Sequence, residues 1–419
     1  MIRRPAVPCR TFPELINLRY DPHNEKSPIR IFVAAVELVG YFVFSFIQIQ
    51  GFGIVLSSIT GISYNICCVA FMIILIFTCM GGFESVARTD TANAILILIG
   101  VIAGAVTVMH LTGGIGNIVE NFVTTTAPAI EGQPALEAGV LGSSWGVFGV
   151  SAIISTFLSN AFGSIVAPHW VARFMAPKNA KTAALQMFCV LLLLIPVFGC
   201  LIIIGMGGKM ILPTLPVGVT TDYMFPQLIM NYLNPVLGAL ALTAICAAAV
   251  STANSMLLHC STSLVYDIKR VLQDKKASAE NDDKTTKELR MWVLLLGVLA
   301  VLGAIAQFSL LAQGFTYVYG AFGSMFFAPI LFGLFVKRMN QPAAWTSMIV
   351  GLIAYLYCTI CGAPLGLPTF IVSAGLSVIS AIIVMNVTKK PPVETYEAFF
   401  FDEVSEETLR TIHKIRKDI

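Results

Sequence analysis

Charge is what this sequence has least of. Only 12% of its 419 residues are Asp, Glu, Lys or Arg, about half the ~25% of an ordinary soluble domain. That scarcity excludes a surface wetted on all sides. The net charge of +3 is small, and no stretch interleaves basic clusters with stacking aromatics, which excludes nucleic acid as a partner. Histidine is scarce as well. His110, His169 and His259 stand isolated along the chain, and there is no metal-ligand pair, catalytic triad or phosphate loop, so an enzyme reading has no support. Ten cysteines are present. Most lie inside apolar blocks (Cys67, Cys68, Cys79, Cys189, Cys200, Cys246, Cys260) without zinc or redox spacing, and they read as packing residues. Met1–Arg10 lacks the apolar core of a signal peptide, and the short alternating segments of a β-barrel are missing.

What the sequence does have is apolar residues, 57% of the chain, with a mean hydropathy of +0.82. They are bunched in blocks of about 20, the length a helix needs to cross a ~30 Å hydrocarbon core. Backbone groups cannot go unpaired there, so helices are expected. The fold class is all-α, a polytopic membrane protein of about ten transmembrane helices. The spans fall at 31–58, 64–80, 89–110, 145–167, 184–206, 236–266, 291–308, 314–336, 343–361 and 368–387. With the N-terminus cytoplasmic, 25 of the 26 Lys and Arg residues lie on the cytoplasmic side and only Lys209 on the other. This is the bias of the positive-inside rule. The domain reading is a cytoplasmic arm (1–30), a transmembrane domain of ten helices (31–387) and a cytoplasmic tail (388–419). In the tail Leu409, Ile412 and Ile415 follow Ser405 at helical spacing, which predicts a short surface helix. Nothing in the chain signals an oligomeric state.

Polar residues at membrane depth are the informative ones, because they are costly to place there. On the sixth span Ala248, Ser251, Thr252 and Ser255 follow i, i+3, i+4, i+7 spacing and share one face near mid-membrane. Hydroxyls and a carbonyl with a spare lone pair are hard donors of the kind that alkali ions prefer. The competing reading is that these hydroxyls bond back to the preceding turn, or let helices approach closely. The fourth span carries Ser159, Asn160, Gly163 and Ser164 before Pro168, a helix loosened by small residues. Interrupted helices of this kind expose backbone groups to substrates and ions in secondary transporters. Asp90 opens the third span, where a cap is the plain reading. Glu37 lies about two turns into the first span and is expected at the interface or against a neighbouring helix.

Several stretches resemble the sodium:solute symporter family, especially its proline and pantothenate branches. Gly81-Gly-Phe-Glu-Ser-Val-Ala-Arg-Thr-Asp90 is similar to the family's Gly-Gly-Phe-x-Ala-Val-x-x-Thr-Asp segment, departing at Ser85, and Asn93 stands where Gln is usual. Pro168-His-Trp-Val-Ala-Arg-Phe-Met-Ala176 resembles its Pro-His-x-x-Ala-Arg-Phe-Met-Ala signature. Ala247-Ala-Ala-Val-Ser-Thr252 with Asp267-Ile268 resembles its Ala-Ala-x-Met-Ser-Thr…Asp-Ile/Leu stretch. The match runs in order from about residue 11 to 390. The resemblance implies part of a fold of two inverted five-helix repeats, with a co-transported sodium ion and a small organic solute near the bilayer midplane of the cell membrane. Carried over, the Ala248 carbonyl and the Ser251 and Thr252 hydroxyls would hold sodium. Asp90 and Ser255 would take part in coupling, and Gln48, Asn160, Gly163 and Ser164 would lie along the substrate path. Gln48 falls where the pantothenate branch has a glutamine, which favours pantothenate over proline.

Family members carry three further spans ahead of the loop that is Thr11 to Arg19 here. The resemblance therefore implies thirteen spans less three, with half of the sodium site ahead of Met1, as in a truncated or frameshifted reading frame. On that expectation the chain alone shows no sodium-dependent uptake, whereas a version extended upstream does. A transporter-like sensory domain and a non-functional fragment are the other readings.

Overall fold

The computed structural model describes residues 9–24, 26–126, 137–143, 146, 149–175, 177, 180–213, 221–273, 282–306 and 311–400. Every regular element among them is a helix: α1 (Phe12–Tyr20), α2 (Pro28–Thr60), α3 (Tyr64–Thr112), α4 (Ile115–Thr124), α5 (Gly149–Val166), α6 (Pro168–Met175), α7 (Ala180–Ile211), α8 (Met224–Tyr232), α9 (Pro235–Thr262), α10 (Arg270–Gln273), α11 (Asp282–Ile305), α12 (Leu311–Phe335), α13 (Gln341–Cys361), α14 (Thr369–Val387) and α15 (Glu394–Phe400). A π-helical segment, Ser263–Lys269, carries α9 on into α10. Local chemistry sets many of the ends. Asn234 and Asn340 cap α9 and α13 through their side chains, each with proline in the first turn, where its missing N–H costs nothing. Gly61 and Gly113, at φ +67° and +77°, close α2 and α3 in the left-handed conformation that glycine adopts without strain.

Nine helical stretches among the described residues are long and apolar enough to cross a membrane, and the shorter apolar stretch Tyr64–Ile76 occupies the place of the expected second span. The expected second and third spans form one helix, α3, with no loop between them. Glycine at 81 and 82 weakens a helix without ending it, and there is no proline to break it. The chain path still reverses. Phe71 and Leu75 share a core with Ala249, Ala253 and Leu257 and Gly100 packs on Ala241 and Ala244, so both halves of α3 lie against α9. A straight helix would hold residues 71 and 100 about 44 Å apart. The outward side chains are those of a lipid-facing surface. Along α7, Leu191, Ile195 and Ile202 are each more than half exposed, an apolar face of the kind that water does not tolerate.

The segment 1–30, expected as a cytoplasmic arm, is built into the protein over its described part. All nine residues of α1 are buried. Phe12 meets Phe326 edge to face with centroids 5.1 Å apart, and Phe399 of α15 joins the same core. Arg19 lies beneath the C-terminus of α12. Its Nε donates to the Gly333 carbonyl at 2.7 Å, and its Nη2 to those of Val336 and Met339 at 3.3 and 3.1 Å. The Gly333 carbonyl is one that a helix end leaves without an intrahelical partner, at the pole that favours a cation; Val336 and Met339 follow just beyond α12, and the Val336 carbonyl also accepts the Met339 N–H. α1 and α15 therefore meet at one end of the bundle. The surface helix expected after Ser405 lies outside the described residues.

Arg19→Ala strips three buried carbonyls of a charged donor. It is expected to cost about 3 kcal/mol, seen as a lower unfolding midpoint in detergent. Arg19→Lys should recover only part, because an ammonium cannot span three acceptors as a guanidinium fork does. An unchanged midpoint in Arg19→Ala would contradict this role.

Candidate functional site

The site grows from α9. Its polar face sits one turn beyond a cavity of about 370 Å³ that α2, α8, α9 and α12 enclose together with the turn at Asp222. Gln48 of α2 and Ala248 of α9 both line this cavity, so the structure brings together two residues that the sequence assigned to the solute and to the ion. Ser251 follows one turn later on α9. Its hydroxyl lies 3.3 Å from the Ala248 carbonyl and faces the Asp90 carboxylate. A hydroxyl has one proton, so it can donate to only one of these two acceptors at a time. The second Asp90 oxygen, Oδ1, is buried with no hydrogen-bond partner. The result is a surplus of oxygen lone pairs over protons, which is what a cation satisfies. Thr252 is half-buried beside Ser251, and Ser255 is buried on the same helix.

The bond from Ser251 back to Ala248 is the back-bonding that competed with ion binding in the sequence. At 3.3 Å it is long for a hydroxyl, and it leaves both lone pairs of Ser251 available. Asp90 also faces Arg173 of α6, with Nη2 4.0 Å from Oδ2. Three separate sequence stretches, at 90, 173 and 251, thus meet at one point.

The small residues of the fourth span are placed elsewhere. A Cβ on Gly163 would stand 2.2 Å from the Tyr319 carbonyl, and Gly163 backbone closes on Gly323. Close helix approach through small residues is how membrane helices pack. The Asn160 side-chain amide donates to the Thr156 carbonyl at 2.8 Å, and the Ser164 carbonyl accepts from Ala167 N–H. None of Asn160, Gly163 and Ser164 is among the residues lining the cavity.

The histidines, isolated in the sequence, come together in space. Their ring centroids lie 6.3 Å apart for His169 and His259. Tyr41 Oη accepts the His169 backbone N–H at 2.7 Å and meets its ring Nδ1 at 2.7 Å, and His169 Nε2 meets Tyr319 Oη at 3.3 Å. A neutral ring accepting at Nδ1 and donating at Nε2 satisfies every group in this set. Burial, then the nearby His259 and Arg173, hold His169 well below the ordinary imidazole range, in keeping with that neutral form. The network repairs the break at Pro168, where α5 ends and the first N–H groups of α6 have no helical partner. Glu37 is 2% exposed and meets His259 Nδ1 at 3.4 Å, so it reaches the neighbouring helix α9. Sequence periodicity held no signal for this cluster beyond the polarity of Glu37, because even its hydrogen-bonded pairs are 128 and 150 residues apart.

A helical membrane bundle with a largely apolar cavity, into which Gln48 and Asp222 are set, defines the class as a transporter-like membrane protein. The model of the sodium:solute symporter family matches residues 7–351, and the chain belongs to that family. It is 26% identical to the sodium/pantothenate symporter of Haemophilus influenzae over 77% of this chain and 64% of that protein. It is 25% identical to the osmoregulated proline transporter OpuE of Bacillus subtilis over 93% of this chain and 76% of that protein. The chain thus spans about two thirds of the pantothenate relative's length. In fold it matches a Na+-coupled sialic acid symporter, solved in a substrate-bound outward-open state with a novel Na+ site, at a TM-score of 0.72. That match covers 91% of this chain and 78% of the symporter at 21% identity. Family and relatives are transporters rather than enzymes.

Tyr41→Phe removes the acceptor of a buried N–H and the partner of a buried imidazole nitrogen. A loss of about 1–3 kcal/mol is expected, read as a fall in the unfolding midpoint. Equal stability of the two proteins would show that the break at Pro168 does not depend on Tyr41.

Proposed function

We propose that this protein takes part in sodium-coupled uptake of a small organic solute across the plasma membrane. The observation that carries the reading is the surplus of oxygen acceptors formed by Ala248, Ser251 and Asp90, one turn from the cavity that Gln48 lines. Sodium is cargo here. It would bind the Ala248 carbonyl and the Ser251 and Thr252 hydroxyls, with Asp90 supplying the negative charge and Ser255 extending the same face. Its inward movement is driven by its gradient and by about 2.3 kcal/mol per 100 mV of membrane potential. Binding beside the cavity would favour the conformation that holds solute, because a ligand shifts a population by its differential affinity for the two states.

Two solutes come with the relatives, pantothenate and proline. Gln48 favours pantothenate on resemblance, while the acid Asp222 in the cavity wall favours a solute with a positive centre. The cytoplasmic side is the end of the bundle where α1 meets α15. The sites of Arg19, Arg30 with Asp267, Lys269 with Glu288, and Arg338 on the Met385 and Asn386 carbonyls gather there, as positive-inside placement requires.

Sodium-activated uptake in proteoliposomes, by a version of the protein extended upstream of Met1, tests the assignment. Ser251→Ala, Thr252→Ala and Asp90→Asn should each raise the sodium concentration for half-activation by about tenfold, equivalent to ~1.4 kcal/mol. Sodium activation unchanged in all three would reject the site.

A further inference from the structure

The cavity wall has one titratable side chain among its described lining residues, Asp222, and no basic one. The rest is Gln48, Gly51 and Ala248 among apolar groups, with two aromatic rings, Phe225 and Phe315. Asp222 is half-buried in the turn Thr221–Tyr223 that leads into α8. Its Oδ2 accepts the Leu311 N–H at 3.4 Å, a long bond that does little to offset a buried charge. Burial pushes this carboxyl above the usual aspartate range, with the Leu311 N–H acting the other way. A carboxylate set into an apolar wall is costly unless a cation stands opposite.

Sodium and an organic ammonium are the two cations available to such a group. Sodium needs several hard oxygens, and those gather around Ser251 and Asp90 rather than around Asp222. Aromatic faces and a single acid suit a positive nitrogen instead, since a cation over a ring gains from the ring quadrupole, most when water is excluded. A cavity of about 370 Å³ lies at the small end of ligand sites. We propose that Asp222, with Phe225 and Phe315, recognises a positively charged nitrogen on the solute, so that the solute class is a compact zwitterion of the amino-acid or betaine type. The opposite end of such a solute, its carboxylate, faces the Gln48 amide and the sodium site beyond Ala248. An anion lacking a positive centre, pantothenate among them, would leave Asp222 unpaired and bring a second negative charge beside it. This inference rests on the symport reading and narrows it.

The test is equilibrium binding of labelled L-proline, glycine betaine and pantothenate to the purified protein, with and without sodium, for wild type, Asp222→Asn and Asp222→Glu. A parallel sodium titration is followed by tryptophan fluorescence. Sodium-dependent binding of proline or betaine is expected, weakened about tenfold or more in Asp222→Asn and recovered in part by Asp222→Glu, with the sodium titration unchanged. Preference for pantothenate, or equal solute affinity in wild type and Asp222→Asn, would overturn the proposal while leaving symport intact. A shift of the sodium titration in Asp222→Asn with no selective loss of the zwitterions would overturn it too, assigning Asp222 to sodium. Sodium-independent behaviour of all three solutes would contradict the symport reading, and this inference with it.

Discussion

In hydrocarbon, a backbone N–H or carbonyl without a partner costs several kcal/mol. That cost shapes two of the irregular points among the described residues. Where α5 stops at Pro168, the Tyr41 hydroxyl takes the freed His169 N–H. Where α12 stops at Phe335, the Arg19 guanidinium covers the last carbonyls. Each repair comes from a distant part of the chain and ties two helices together. Around Ala248, Ser251 and Asp90 the acceptors outnumber the available protons, and the buried oxygens Glu37 Oε2 and Asp267 Oδ2 are likewise without hydrogen-bond partners. A cation would complete the set at Asp90 under the proposed symport.

α9 connects the two halves of the proposed activity. Ala248 lines the cavity and Ser251, one turn on, reaches Asp90. Ion and solute would therefore bias the same helix, whose neighbours α2 and α3 pack along most of its length. Coupling through one shared element needs no long pathway. It asks only that the two bound ligands favour the same arrangement of α9 against α2 and α3.

The sequence made legible what is local or periodic. Runs of apolar residues located the spans, proline and glycine located many of their ends, and helical spacing placed Ala248, Ser251, Thr252 and Ser255 on one face. Contacts between distant residues were not legible. Arg19 and Gly333 are 314 positions apart, so the packing of α1 into the core was not legible in the arm of 1–30. Asp222 drew no attention, since a lone acid in a loop looks like solvent-facing charge until α8 and α12 close around it. Small residues are ambiguous for a physical reason. Gly163 serves a tight helix contact as well as it would an unwound site, and only the Tyr319 carbonyl against it tells which. Histidines at 169 and 259 looked isolated because helix packing, rather than sequence spacing, sets their neighbours.

The reciprocity of sodium and solute tests the central claim most directly. Solute affinity measured across sodium concentrations, and sodium affinity measured across solute concentrations, must change by the same factor if the two sites are coupled through α9. Coupling of about 5-fold to 150-fold, equal in both directions, is the expected result. Solute affinity that does not change with sodium would contradict symport through this site.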